Sequence, residues 1–126
     1  MTVGLSTTHA HAYLNVLRNT AYSGITTVTV KLHTGDPGAA GTANASGETT
    51  QKTVTWNAPS AGSMTLSSSV SWTSWSAGTE TVSHLSIWDN QVTFLRSASL
   101  TASKTVNDGD TLTLNTLTLS VTPIAA

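Results

Sequence analysis

The chain is 126 residues long, has a net charge of −1, and contains no cysteine and only 9% Asp, Glu, Lys and Arg. That length suits one domain able to bury about two-thirds of the surface its unfolded form exposes. Neither disulfides nor a thiolate metal site can hold it together. The weak charge excludes the basic field that nucleic acid or an anionic membrane attracts. Serine and threonine make up a third of the residues, a polar but uncharged composition that suits protein or glycan partners.

The opening MTVGLSTTHAHAYL lacks the basic start and long apolar stretch of a secretory signal. No run reaches the roughly 18 apolar residues of a membrane span, so synthesis in the cytoplasm is expected. Residues 1–24 read as an N-terminal arm and a short α-helix. Thr7 or Thr8 caps it, Ala10, Tyr13, Leu14 and Leu17 recur on one face, and Ser23-Gly24 ends it. A helix of about a dozen residues is marginal alone in water, so its stripe must dock on this domain or on a neighbouring subunit.

From Ile25 the period becomes two, with Val28, Val30 and Leu32 on one side and Thr27, Thr29, Lys31 and His33 on the other. This half-buried strand ends at Gly35-Asp36-Pro37-Gly38, the pattern of a type II turn. Residues 39–51 read as a long loop. Strand signals follow at 53–56, 64–72, 82–88, 92–100 and 111–121, making six to eight strands in all. Residues 25–126 therefore read as one all-β domain, an antiparallel β-sandwich or jelly-roll-like fold, because parallel pairing needs crossovers that this spacing does not leave. In the last segment Leu112 and Leu114 share one parity and Leu117, Leu119 and Val121 the other. A bulge, or a bend between two sheets, is expected near Asn115-Thr116, with Pro123 ending the pairing.

Candidate sites are few. His9 and His11 lie about 200° apart on a helix and cannot grip one ion, and His33 and His84 sit on separate strands, where only tertiary accident would join them. Gly35 to Gly41 lacks the Gly-Lys-Ser/Thr ending of a phosphate loop. Asp108-Gly109-Asp110 resembles a piece of a calcium loop without its other ligands and reads as a hairpin turn. The His–Ser pairings available, Ser83-His84 and His84 with Ser86, follow from composition. No arrangement of nucleophile, base and orienting group is visible, so no enzymatic activity, cofactor or metal is expected. Trp56 and Trp72 share parity with apolar neighbours and read as core. Trp75 and Trp88 face the other way and are candidates for exposure, as a subunit interface, a glycan platform or a second covered face. The absence of charge between Lys52 and Glu80 would let that stretch approach another protein without desolvating ions.

Four features together, the N-terminal helix, residues 30–44 (VKLHTGDPGAAGTAN), 84–89 (HLSIWD) and 104–110 (KTVNDGD) ahead of a leucine-alternating end, resemble small virion proteins of actinobacterial phages. Such proteins are labelled tail-fibre-like, and β-rich phage proteins of this size also serve as capsid decoration proteins. The resemblance implies a virion component without catalytic residues, in which His33, Thr34, Gly35, Asp36, Pro37 and Gly38, with Asn107, Asp108, Gly109 and Asp110, have structural turn roles. Fibres that reach a host are long and repetitive, whereas this chain is short and has no internal repeat. The expectation is therefore a capsid decoration protein that bridges major capsid protein subunits and contacts copies of itself, a trimer being one arrangement, through Tyr13, Leu14 and Leu17 or the face around Trp75 and Trp88. A tail component contacting tail proteins and a carbohydrate-binding module are the alternatives.

Overall fold

The structure is a computed structural model that describes residues 3–121. In chain order it contains α1 (Thr7–Leu17), β1 (Val28–His33), β2 (Lys52–Thr53), β3 (Ser63–Thr65), β4 (Val70–Trp72), β5 (Glu80–Asp89), β6 (Thr93–Val106), β7 (Leu112–Leu114) and β8 (Thr118–Ser120). The fold is all-β with one short helix, and every strand pair is antiparallel.

The cap of α1 is Ser6, one residue before the expected Thr7. Ser6 Oγ accepts from His9 N–H at 3.2 Å, while the Ser6 hydroxyl and N–H donate to the carbonyls of Phe94 and Leu95 at 2.8 Å each. Ser6 wins over Thr7 because the same residue caps the helix and ties it to β6. The helix ends at Leu17, well short of Gly24. Asn19 takes φ +60°, Thr20 N–H returns to Asn15 O and Asn19 N–H to Val16 O, the two bonds of a Schellman ending.

Four strands form one sheet in the order β2-β1-β5-β6. Strands β5 and β6 are joined by a turn in which Asn90 and Gln91 both have positive φ, as a type I′ hairpin requires. The N-terminal arm covers the free edge of β6: Leu5 bridges Arg96, and Ser97 N–H donates to Gly4 O at 2.8 Å. Opposite this sheet lie two two-stranded ladders, β3-β8 and β4-β7. Between the layers sit Val30, Leu32, Leu85 and Ile87 from the sheet, with Trp72, Leu112 and Leu119 from the ladders and Leu66 just past β3.

The leucine parity slip is a bend between ladders. Residues 112–114 pair with β4 and residues 118–120 with β3, so both leucine sets turn inward although their parities differ. Pro123 lies outside the described residues. The turn at 107–110 departs from the hairpin reading, because β6 and β7 belong to different layers. Asp110 N–H donates to Asn107 O at 3.0 Å and Gly109 takes φ +89°. The turn is then clamped to the 75–79 loop by Gly109 N–H to Trp75 O at 2.7 Å and Gly78 N–H to Asp108 Oδ1 at 2.8 Å.

The 34–47 loop is a lid on the outer face of the sheet. Its own Pro37 and Gly41 are buried, Asp36 Oδ1 accepts from Gly38 N–H at 2.8 Å, and Ser46 and Gly47 bond the Glu80 carboxylate. At Gly41, where φ is +73°, a Cβ would lie 2.5 Å from Cδ1 of Phe94. Gly41→Ala is expected to destabilise the fold by about 2–4 kcal/mol, from the left-handed backbone and the clash together. Urea unfolding measures this as a lowered midpoint at unchanged slope.

Candidate functional site

The two faces of α1 have opposite fates. His9 is buried against β6, and its Nδ1 lies 3.3 Å from Leu95 O. The expected stripe points outward instead, with Tyr13 46%, Leu14 60% and Leu17 85% exposed, beside Val16 at 50%. This domain therefore leaves the stripe uncovered.

The tryptophans fall differently. Trp75 is 1% exposed, and its Nε1–H donates to Gly78 O at 2.9 Å. The expected outward orientation assumed that the strand stays extended, but it ends at Trp72, and Ser74, with φ +52°, turns the chain so that Trp75 enters the core. Trp88 does lie on the outer sheet face, opposite Ile87, yet it is only 9% exposed beneath the lid, with its ring 5.3 Å from Phe94. Of the readings open for it, the second covered face is the one found. Neither ring offers a flat face for a sugar.

Under the lid lies a directed polar chain. His33 Nδ1 is 2.8 Å from Ala43 O, which can only accept, so Nδ1 carries the hydrogen and Nε2 accepts from Ser86 Oγ–H at 2.7 Å. Ser86 Oγ in turn accepts from Trp88 Nε1–H at 2.7 Å. His33 and Ser86 are both 0% exposed. The serine and histidine thus stand where a nucleophile and its base could, but both are sealed and committed to joining the lid to the sheet.

His33 and His84, thought unlikely neighbours, are direct cross-strand partners. Spacing could not show this, because the register of β1 on β5 is set by the core-facing pairs Val30 with Ile87 and Leu32 with Leu85. His84 Nδ1 bonds Ser83 Oγ at 2.8 Å, and Ser86 serves His33. Among the described residues no group of three or more His, Cys, Asp or Glu converges as metal ligands, and no helix is long and apolar enough to cross a membrane.

Burial holds the His33 imidazole below its ordinary value of 6.5, against the raising effect of the Ala43 hydrogen bond, and the Lys31 charge and His84 lower it further. Burial likewise lowers His9. The unfolded chain takes up these protons near pH 6.5 and the folded chain resists them. Stability is therefore level above that pH and falls as the pH drops below it, by at most about 1.4 kcal/mol per pH unit for each histidine. Thermal melts from pH 7.5 to 5 should show this loss, and His33→Gln, already less stable at pH 7.5, should show a shallower slope.

No curated protein matches the chain. Residues 4–122 match the family model described as podophage GP4 fiber I protein gp80. Covering nearly the whole domain from the β6-pairing arm through β8, that match places the chain in the podophage GP4 fiber I protein gp80 family, as a phage fibre-like structural protein of the virion.

Proposed function

We propose that the protein is a non-enzymatic tail-fibre subunit that joins its neighbours in the particle through the outer face of α1. The family supports the fibre reading, and the observation that carries the contact is the stripe of Tyr13, Leu14 and Leu17 left outside the domain. Fully burying a leucine contributes about 1.5–3 kcal/mol. Contacts repeated among copies then add by avidity. The partners on this reading are tail proteins and sister copies, a trimer being one closed arrangement in which each stripe meets a neighbour.

Capsid decoration is the second reading, favoured by the absence of an internal repeat in these residues. On that reading the same stripe meets the major capsid protein. Fractionating disrupted particles decides between them. Recovery with tails at a few copies per particle supports the fibre, recovery with heads at hundreds of copies supports decoration, and absence from washed particles contradicts both.

A further inference from the structure

The arm and α1 are held to the domain mainly through one strand edge. Ser97 N–H donates to Gly4 O and Ser6 N–H to Leu95 O, at 2.8 Å each. Ser6 Oγ–H donates to Phe94 O at 2.8 Å, Gly4 N–H donates to Ser97 Oγ at 3.1 Å, and His9 Nδ1 lies 3.3 Å from Leu95 O. All of these partners belong to β6. Of residues 3–22 only Ser6 and His9 are buried, both polar, so no apolar side chain of this unit is anchored in the core. Cavities of about 390, 300 and 280 Å³ flank it, beside the arm, on the body side of α1 and beside Tyr22. Few buried apolar contacts, with bonds made at an edge, mark the part of a domain that detaches most readily.

The unit is bounded by a hinge. Tyr22 belongs to the helix side, its ring centroid 6.0 Å from those of His9 and Tyr13. Thr26 belongs to the body, its N–H and Oγ–H donating to Asp89 Oδ1 at 3.1 and 3.2 Å, and Thr27 O accepts from Asn90 N–H at 2.7 Å. Between them Ser23 and Gly24 are exposed, and a Cβ on Gly24 would meet nothing within 4 Å. Small residues in open space are suited to absorb a change of backbone direction. From Tyr22 to Ile25 the extended chain spans about 10 Å, so a unit swung at this hinge reaches a second body that touches the first near it.

We infer that neighbouring copies exchange this unit, the arm and α1 of one chain pairing with β6 of the next. The hydrogen bonds of the closed arrangement to β6 are all re-formed in the exchanged one, which is why such swaps are a low-cost route to association. Exchange also carries Tyr13, Leu14 and Leu17, exposed in the single domain, to the boundary between two bodies. The inference rests on the reading that copies of this chain meet at α1, and specifies how they do so.

Leu5 and Arg96 are bridge partners flanked by the Gly4–Ser97 and Ser6–Leu95 bonds. That makes them a non-hydrogen-bonded pair with Cα atoms about 4.5 Å apart, within disulfide range. Because the chain has no cysteine, Leu5→Cys and Arg96→Cys in separate chains are brought together only where the arm of one lies on β6 of the other. The two single variants are co-expressed, purified and oxidised, and mass spectrometry counts chains joined between positions 5 and 96. Leu5→Cys with Ser103→Cys, exposed on β6 away from the arm, measures random collision. At least about tenfold more linkage in the first pair than in the second is the expected result. Equal linkage, or none, overturns the inference, as does a double variant, Leu5→Cys with Arg96→Cys, that closes only within single chains. Maleimide labelling of Leu17→Cys in particles reads the underlying contact separately. Protection there with only intrachain bonds keeps the contact at α1 and rejects the exchange, whereas no protection and no linkage reject both. If Arg96→Cys fails to fold, Leu5→Cys carrying a benzophenone maleimide is refolded as a mixture of isotopically light and heavy chains. Photocross-links to β6 that join light to heavy chains support the exchange, and cross-links within one isotope alone overturn it.

Discussion

Trp75→Ala is expected to lower stability by about 3–5 kcal/mol, a large part of the roughly 5–15 kcal/mol typical of a domain. The ring is 1% exposed and sits where Ser74 turns the chain inward, under the clamp between the 75–79 loop and the 107–110 turn. Its loss opens a cavity at the junction of both layers and leaves Gly78 O without its indole donor. Urea unfolding at neutral pH measures the loss directly. The contrary result is informative. A variant with the stability of the parent would mean that Trp75 lies on the surface, the arrangement that a stacking platform requires.

The second large effect is on assembly. Leu14→Glu with Leu17→Glu should leave the unfolding midpoint of the isolated chain nearly unchanged, since these side chains are 60% and 85% exposed. Incorporation into particles should fall by about a hundredfold or more, because two leucines that become buried contribute about 3–6 kcal/mol and the introduced carboxylates add a desolvation cost. Quantifying the protein in washed particles from phage carrying the double variant gives the number. A fold that collapses would instead mean that the stripe packs on its own domain, and normal incorporation would mean that assembly uses another surface.

Much of the architecture was legible because strand period and turn chemistry are local. The switch to period two after Ile25 and the leucine parity slip near Asn115 both come from the alternation of side chains across a sheet, and the structure has a strand at 28–33 and a bend between ladders there, although β1 is covered on both faces, with Thr29 and His33 as buried as Val30 and Leu32. What could not be read is what depends on distant pairing. Ser6 outcompetes Thr7 and Thr8 as the helix cap because the carbonyls of Phe94 and Leu95 wait for it about 90 residues away. The helix buries His9 and exposes its leucines, since the space on β6 is shaped by a hydrogen bond to Leu95 O as well as by apolar contact. Trp75 was misplaced because one residue with φ +52° reverses a parity argument. The pairing of His33 with Ser86, across 53 positions of sequence, followed from a register that only the folded sheet defines.

The central proposal is that α1, whose outer face the domain leaves exposed, is the seam between this domain and its neighbours in the virion. Because the chain has no cysteine, Leu17→Cys supplies a single thiol on that face, and Ser103→Cys supplies one on exposed β6 as a reference. The direct measurement is maleimide labelling of each variant as purified protein and within intact particles. Rapid labelling of both thiols in solution, with the position 17 thiol alone protected in particles, is the result the account predicts. Equal labelling of the position 17 thiol in solution and in particles would contradict it.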